Sequence, residues 1–313
     1  MKTSCGILVH PDEFTQKRIL SCARSGINVL GIHPTGGITA KDSLTSLLKM
    51  IKTEEFMSLV DYALSLGIKI EYEMHAASFL LDRTLFSSHP EYFRENENHV
   101  RTPDVNLCVS NKEALDIISD EAGRLALALY GSTNRYFFWL DDVRSKKCNC
   151  EKCRNLSLSD QQLIFQNAVL RGIRKVVPNA TAAYLAYTDC MYVPEKIIPD
   201  DGIFLEYAPF EKYVSKKNTD LVKKELSLIS PLLSFFGNKG AKVLEYWLDN
   251  SLFSGWKKPP KAFFADKSSI LTDVEYYKAM GFEHISTFAC FLGDDYEVLY
   301  GEADISPFTD CFK

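Results

Sequence analysis

Apolar and polar positions follow a unit that recurs along the whole chain. Each unit combines an amphipathic stretch of helical period with a short apolar run that ends in polar residues. Apolar runs of this length, rich in β-branched and aromatic residues, are typical of buried strands. Strands are predicted at residues 5–10, 27–33, 68–75, 136–142, 180–187, 202–207, 241–249 and 285–291. Helices are predicted at residues 12–25, 41–50, 54–66, 112–130, 159–176, 220–235 and 266–280.

The alternation of strands with helices predicts an α/β fold. Such alternation implies parallel strands joined by right-handed crossovers, and eight repeats predict a closed (β/α)8 TIM barrel. Gly26, Gly67, Gly131 and Gly281 each follow a predicted helix, where a left-handed C-cap is often needed. An open, doubly wound sheet is the alternative, but no glycine-rich phosphate loop follows the first strand. With no linker or low-complexity tract, residues 1–313 are predicted to form a single barrel domain.

Two connections are longer than a barrel requires. The third-strand loop (residues 76–110) and the fourth-strand loop (residues 143–158) each follow a predicted strand. Long connections in compact domains are usually binding loops or lids. Both loops are therefore expected on the C-terminal face, where barrels of this type keep their active sites.

Composition and charge narrow the possible partners. Of 313 residues, 46% are hydrophobic and 25% charged, with a net charge of -5, which is typical of a globular protein and unlike a nucleic-acid-binding one. The basic run Lys216-Lys217 with Lys223-Lys224 indicates a solvated face. No apolar stretch approaches the roughly 20 residues of a membrane span, and no signal peptide is seen at the N-terminus. The nine cysteines argue against a disulfide scaffold, so a cytoplasmic location is expected.

Strand periodicity predicts which polar side chains enter the barrel. Side chains alternate between the lumen and the surrounding helices, and the apolar parity is expected on the helix side. In the seventh strand this rule directs Glu245, Trp247 and Asp249 inward. In the sixth strand it directs Glu206 into the lumen.

The third and fourth strands add further acidic residues. The same rule places Glu71, Glu73 and His75 inside the barrel. The fourth strand is apolar on both parities, so periodicity does not choose between Asp141 and Asp142 at its end. One of these two aspartates is expected to face the pocket.

Carboxylates collected at strand ends suit the cleavage of a glycosidic bond. One acid protonates the leaving oxygen, and a second carboxylate activates water or attacks the sugar. The candidate catalytic residues are Asp142, Asp141, Glu245, Asp249 and Glu206. The candidate substrate-binding residues are His10, His33, His75, Trp139, Tyr187, Tyr207, Trp247 and Asn250. Ion pairing within the barrel and packing in the core are the ordinary alternatives for these acids and rings.

The function most favoured is a carbohydrate-active hydrolase without a catalytic cofactor. In it Asp142 or Asp141 is the general acid, Glu245 or Asp249 the base or nucleophile, and Glu206 a supporting carboxylate. The alternative from another class is a sugar-binding barrel without catalysis. A metal-dependent hydrolase using the histidines is disfavoured, since no His-x-His or His-x-x-x-His spacing occurs.

A cysteine cluster lies in the fourth-strand loop. Cys148, Cys150 and Cys153 place three thiols within six residues. Cys190, just beyond the fifth strand, is the predicted fourth ligand of a structural zinc ion, and Cys108 is another candidate. Reduced thiols without metal, or a local disulfide, are the alternatives.

The chain also resembles a known family. Residues 73–75 (Glu-Met-His), 89–93 (His-Pro-Glu-Tyr-Phe) and 106–111 (Asn-Leu-Cys-Val-Ser-Asn) look like a bacterial domain family of unknown function. Its members resemble the α-glucuronidase and β-hexosaminidase barrels and are often found beside polysaccharide-degrading enzymes. The aspartates at the end of strand four, followed by Cys-x-Cys-x-x-Cys up to residue 153, are the most specific match. The resemblance covers roughly residues 68–160.

The resemblance implies a glycoside-hydrolase-like barrel that acts on a carbohydrate. It places the acidic end of strand four near the reaction centre. Hexosaminidase-like barrels have an Asp-Glu pair there, with the Glu as the acid. This chain has Asp141-Asp142 instead, so Asp142 would have to act with a shorter side chain.

Overall fold

Eight parallel strands close into a barrel, as the sequence predicts. The structure, a computed structural model, describes residues 3–214 and 219–313, so that Lys216 and Lys217 lie outside the described residues. Each strand pairs with the next, and the last pairs with the first. The strands are β1 (Ser4–Val9), β2 (Val29–Ile32), β3 (Lys69–His75), β4 (Arg135–Trp139), β5 (Thr181–Ala186), β6 (Ile203–Tyr207), β7 (Lys242–Glu245) and β8 (His284–Phe288).

Helices surround the barrel and bury their apolar faces against it. The predicted helices are all present, and the one predicted at 220–235 is divided into α8 and α9. The four predicted C-cap glycines all have positive φ, from 71° to 87°. The helices are α1 (Gln16–Ser25), α2 (Ala40–Met50), α3 (Glu54–Ser65), α4 (Ala77–Leu80), α5 (Lys112–Ala128), α6 (Leu158–Arg174), α7 (Glu211–Val214), α8 (Thr219–Ser227), α9 (Ile229–Phe236), α10 (Asn250–Phe253), α11 (Lys267–Ala279), α12 (Asp294–Tyr300) and α13 (Ser306–Thr309). No helix in the described ranges is both long and apolar enough to cross a membrane.

Several strands end earlier than the sequence predicts. β4 ends at Trp139 and β7 at Glu245, so the aspartates expected at their ends lie in the following turns. After β4 the chain bends at once, since the Val143 amide donates to the Asp141 carbonyl at 2.9 Å. The alternation of side chains that holds within a strand therefore does not extend to these residues.

Helix α6 is tied closely to the barrel. Gln166 donates from its side chain to the Phe138 carbonyl at 2.8 Å, and Gln162 donates to the Leu185 carbonyl at 2.7 Å. The neighbouring helix α5 approaches it so closely that a Cβ at Gly172 would lie 1.7 Å from the Ser119 carbonyl oxygen. Glycine is therefore required where these two helices cross.

The lower lumen holds buried charges. Lys242 contacts Glu73, and its amine lies 3.3 Å from Glu206 and 3.8 Å from Glu71. Arg135 donates to the other oxygen of Glu71 at 3.1 Å. The parity predicted for Glu71, Glu73 and Glu206 is thus correct. These carboxylates form the ion-pair network that was the alternative to catalysis.

The first prediction concerns His284, at the start of β8. Burial, together with the cations Arg135 and Lys242, lowers the pKa of His284 to about 3. The unfolded chain takes up this proton below pH 6.5 and the folded chain does not, so stability should fall as pH falls from about 6.5, by up to about 1.4 kcal/mol per pH unit. We expect His284→Asn to flatten this decline in urea unfolding measured between pH 7 and pH 4.

The matched control is His99→Asn, because His99 is exposed and has a φ of 58° that asparagine tolerates. This variant should keep the wild-type pH dependence. Identical slopes for His284→Asn and the wild type would show that His284 is not the proton-linked group.

Candidate functional site

A cavity of about 670 Å³ opens at the carboxyl end of the barrel, in the range of small-molecule binding sites. It lies above the lumen charges, between the turns that follow the strands. Seven of the predicted site residues line it: His10, His33, His75, Trp139, Asp142, Tyr187 and Asp249.

Two aspartates supply carboxylates to the cavity. Asp142 is half-buried in the turn after β4, beside Tyr187. Burial raises the pKa of the Tyr187 phenol, and the nearby Asp142 carboxylate raises it further. In the part of the chain that the structure describes, no lysine or arginine nitrogen lies within 4.0 Å of the Asp142 or Asp249 carboxylate. Neither carboxylate therefore forms an ion pair with a lysine or arginine of the described residues.

Asp249 lies deeper and caps a short helix. One of its oxygens accepts the Ser251 hydroxyl at 2.5 Å and the amides of Ser251 and Leu252 at 3.1 and 3.3 Å. Burial raises the pKa of the Asp249 carboxyl, against the opposing effects of these hydrogen bonds and of nearby His10. Its second oxygen is not engaged by the cap.

Three histidines form a row at the ends of β1, β2 and β3. Each Nδ1 faces a main-chain carbonyl of the following strand or turn: His10 that of His33 at 2.9 Å, His33 that of Glu73 at 2.8 Å, and His75 that of Leu140 at 2.6 Å. A carbonyl only accepts, so each Nδ1 carries the hydrogen and Nε2 is the acceptor of the neutral ring. Burial, with the neighbouring His10 and His75, lowers the pKa of His33 well below its usual range. His33 therefore offers the cavity a hydrogen-bond acceptor rather than a charge.

Aromatic rings form the walls. Trp139 packs between His33 and His75, and its Nε1 donates to Glu206 at 2.8 Å. Tyr246 stacks on Phe288, with ring centroids 5.1 Å apart. Surfaces of this kind bind the apolar faces of ring-shaped ligands while neighbouring polar groups bind hydroxyls.

Comparison with known families identifies the chain. The family model described as domain of unknown function (DUF4838) matches residues 53–225. The chain belongs to this family. The match includes β3 to β6, and with them Asp142 and His75 of the cavity, whereas Asp249 and His10 lie outside it. No curated protein matches this DUF4838 chain significantly.

Solved structures similar to the DUF4838 chain are glycoside hydrolases. One is the pneumococcal exo-β-D-N-acetylglucosaminidase StrH, with GH20 catalytic modules: TM-score 0.54, 11% identity, 99% of this chain and 83% of that chain covered. Another is endo-glycoceramidase II from Rhodococcus sp., with TM-score 0.52, 11% identity, and 92% and 73% covered. A β-galactosidase from Halorubrum lacusprofundi has TM-score 0.56, 10% identity, and 99% and 57% covered. At these identities the likeness shows a shared barrel fold.

The predicted orientation of strand β7 is wrong. Leu244 and Tyr246 line the cavity, whereas Glu245 and Trp247 point to the helices. Glu245 accepts from Lys212 at 2.8 Å and from the Tyr213 and Tyr277 hydroxyls, and these three donors hold its charge outside the barrel. Trp247 packs on Tyr277 and Phe308. The upper lumen is apolar, so the apolar parity of β7 belongs inside.

Four other predicted residues also lie away from the cavity. Glu206 is buried beneath Trp139, and the Tyr207 hydroxyl donates to the Glu225 carbonyl on the helix side. The buried Asn250 amide donates to the carbonyls of Lys261 and Phe291. The fourth residue, Asp141, turns into the third-strand loop.

Asp141 serves as an anchor for that loop. Its carboxylate accepts the Ser78 hydroxyl at 2.5 Å and the amides of Ser78 and Asn106 at 3.0 and 2.6 Å. The Asn106 side-chain oxygen in turn accepts the Asp141 amide at 3.0 Å. Because Asp141 is directed away in this manner, Asp142 is the aspartate that faces the cavity.

The cysteine cluster forms with a different fourth member. Cys108, Cys148, Cys150 and Cys153 place their sulfurs within 4.8 Å of one another, all buried. Cys190, predicted as the fourth ligand, lies in a separate turn (Thr188–Cys190) behind β5. The third-strand loop folds over the fourth-strand loop and supplies Cys108 instead. Across residues 3–214 and 219–313 this is the sole set of three or more His, Cys, Asp or Glu close enough to hold a metal, so the histidine row does not support a metal-dependent hydrolase.

Sequence reasoning missed several lining residues. Tyr246 has the parity that was predicted to face the helices, and Phe288 ends β8, a strand for which no lumen-facing residue was predicted. Trp256 lines the mouth with 64% of its surface exposed, in a loop where the sequence predicts nothing. Gly36 contributes backbone, and a Cβ there would lie 2.9 Å from the His75 ring and 3.3 Å from Asp142. The Pro-Thr-Gly-Gly turn containing Gly36 was the available signal.

A second prediction tests the structural role of Asp141. Asp141→Ala leaves the Ser78 hydroxyl and the Ser78 and Asn106 amides without their acceptor. We expect a loss of about 3 kcal/mol in unfolding free energy, since hydrogen bonds to a charged group contribute about 1.5–3 kcal/mol each and water replaces part of them. Denaturant unfolding measures this change, with Asp116→Ala on the exposed face of α5 as the control. A variant as stable as that control would refute the anchoring role.

Proposed function

We propose that this protein is a glycoside hydrolase in which Asp142 and Asp249 are the two working carboxylates. The observation that carries the proposal is that both line one cavity at the carboxyl end of the barrel, on turns after β4 and β7, with no cation neutralising either among the described residues. Paired carboxylates flanking a sugar are the chemical requirement of glycosidic bond hydrolysis. The barrel fold shared with glycoside hydrolases is consistent with this class of reaction.

Asp142 is the general acid in this proposal. It is half-buried at the cavity wall, where a leaving oxygen can reach it. Its neighbour Tyr187 directs a phenol hydroxyl toward it. Asp249 is the base or nucleophile. Nearby His10 and the capping hydrogen bonds favour its ionised form, while burial keeps its pKa above that of an ordinary aspartate and so makes it a stronger base.

The cavity has the size and the lining to hold a sugar ring. Trp139, Tyr187 and Tyr246 supply stacking surfaces, and the histidine row offers ring nitrogens for hydrogen bonds with hydroxyl groups. The N-acetylglucosaminidase among the similar structures makes aryl N-acetyl-β-D-glucosaminides the first substrates to assay. With such sugars the acetamido group can replace a protein nucleophile, and Asp249 then orients it.

A carbohydrate-binding barrel without catalysis is the second candidate. The observation favouring it is that Asp249 already accepts three hydrogen bonds as the cap of α10, which is a sufficient structural reason for its presence. In that case the aromatic and histidine lining binds sugar, and neither aspartate takes part in bond cleavage.

The third prediction compares variants on a panel of aryl glycosides and uronides. Asp142→Asn and Asp249→Asn should each lower kcat/KM by about 100-fold or more, because loss of a general acid or base removes about 10²–10⁴-fold. If Asp142 is the acid, the loss in Asp142→Asn should shrink for substrates with highly acidic phenol leaving groups, which need no protonation. Asp249→Asn should show no such recovery.

Glu245→Gln is the matched control, since this carboxylate is buried on the helix side. It should lower stability through weakened pairing with Lys212 and leave the leaving-group dependence unchanged. Absence of turnover on the whole panel, with oligosaccharide binding measurable by calorimetry, would reject the hydrolase in favour of the binding barrel.

The fourth prediction is a pH dependence. Asp249 must be ionised to act as base, so kcat/KM should rise with pH through its pKa, above the ordinary value of 3.8. Ser251→Ala removes the hydroxyl that donates to the ionised carboxylate and should move this acid limb upward by about 0.5–1 pH unit, the equivalent of one hydrogen bond. Ser254→Ala, in the same turn, is the control. A limb that stays in place or moves down in Ser251→Ala would contradict the role given to Asp249.

A further inference from the structure

Four thiols from two loops converge on one point. The Cys108 sulfur lies 3.7 Å from that of Cys150 and 3.9 Å from that of Cys153, and all four sulfurs, including that of Cys148, are within 4.8 Å of one another. A disulfide requires about 2.05 Å between sulfurs. Four thiolates bound tetrahedrally to zinc at about 2.3 Å have sulfurs about 3.8 Å apart. The two distances from the Cys108 sulfur match this value, and no sulfur of the cluster is more than 4.8 Å from another.

Hydrogen-bond donors surround the sulfurs. The Glu95 amide and the Arg101 guanidinium face the Cys148 sulfur at 3.4 and 3.7 Å. The Ser110 hydroxyl lies 3.2 Å from the Cys108 sulfur. Thiolates bound to a divalent ion keep negative charge in excess, and donors of this kind, with the Arg101 cation, stabilise it.

The backbone of the cluster is held by helix α6. The Gln161 side chain accepts the Cys148 amide at 2.8 Å and donates to the carbonyls of Cys148 and Cys153 at 2.9 and 3.2 Å. These bonds fix the Cys-x-Cys-x-x-Cys segment in the shape that directs its three sulfurs together. The ligand geometry is thus set by the fold as well as by the thiols.

We propose that Cys108, Cys148, Cys150 and Cys153 bind one structural zinc ion. Four protein ligands leave no position for water or substrate, so the ion has a structural role. It joins the third-strand loop, which contains Cys108, to the fourth-strand loop, which contains the other three cysteines. A loop-to-loop link of this kind stabilises the folded chain by the free energy of metal binding.

The site also positions the cavity. Asn106, two residues before Cys108, holds Asp141 and donates from its side chain to the Lys146 carbonyl at 3.0 Å. Through Asn106, the zinc site thereby holds the chain on both sides of Asp142, at Asp141 and at Lys146. This inference stands independently of whether the cavity hydrolyses or only binds sugar.

The experiment starts with metal analysis of the full chain, expressed with zinc and purified without chelator. We expect about one zinc per chain by mass spectrometry of the metals, and tetrahedral cobalt–thiolate absorption after exchange with cobalt. Removal of the metal should lower the Tm by at least about 5 °C and expose the two loops to protease. Readdition of zinc should restore both.

Cys108→Ser and Cys190→Ser distinguish the two candidates for the fourth ligand. Cys108→Ser should lose the cobalt–thiolate spectrum of four sulfurs and bind zinc more weakly by at least about 100-fold, whereas Cys190→Ser should retain full zinc content. Cys311→Ser, outside the cluster, controls for cysteine loss itself. Should Cys108→Ser fail to fold, the wild-type metal content and cobalt spectrum still decide the question.

Three results would overturn the proposal. They are wild-type protein with less than about 0.1 zinc per chain after expression with zinc, a disulfide within the cluster found by mass spectrometry, and stoichiometric iron in place of zinc. Full zinc content in Cys108→Ser with loss in Cys190→Ser would overturn the ligand assignment.

Discussion

The site depends on one buried lysine. Lys242 rises from β7 into the lumen and contacts Glu73, with Glu206 3.3 Å away. Burial opposes its charge, but the glutamates around it raise its pKa, so the amine stays protonated. Removing one partner from this group would leave an uncompensated charge in the buried lumen, which is strongly destabilising. Each charged residue therefore requires the others to stay in place. The arrangement fixes β3, β6 and β7 relative to one another beneath the cavity.

The position of the cavity floor follows from that charge. Glu206 accepts the Trp139 indole nitrogen, so the lysine holds the ring indirectly. Burial raises the pKa of Glu73 well above its usual range, and the neighbouring Lys242 opposes this shift. Arg135, which is paired with Glu71, is the second cation of this layer. Above this layer lie the three histidines of the cavity, His10, His33 and His75. Asp142, Arg144 and Asp249 also line the cavity, with Asp249 more deeply buried than Asp142.

The sequence predicts the barrel because period and strand count are local signals. Each of the eight runs had the right position, and the inward parity of Glu73 and Glu206 was correct. The predicted orientation of β7 is wrong because the rule assumes that apolar residues face the helices. Leu244 instead faces the lumen, whose upper part is apolar. The donors that satisfy Glu245 come from distant segments around residues 212 and 277, which no local pattern reveals.

The same distinction explains the cysteines. Strand order alone predicts that Cys190, which follows β5, lies near the loop that follows β4. The path of the 35-residue third-strand loop is set by tertiary contacts such as those of Asp141 with Ser78 and Asn106, so the arrival of Cys108 could not be read from spacing. Long loops carry little periodic signal, and their course is where prediction from one sequence loses accuracy.

The two cavity carboxylates are consequently held by different means. Asp249 is fixed locally, because it caps the helix that follows it within the same turn. Asp142 lies past the end of β4, and its direction depends on the rotation of Asp141 into the third-strand loop. One carboxylate thus depends on a few adjacent residues, and the other on two loops that meet at the cysteine cluster. In this barrel the geometry of the site is as much a property of its loops as of its strands, and both of those loops lie within the residues that the DUF4838 model matches.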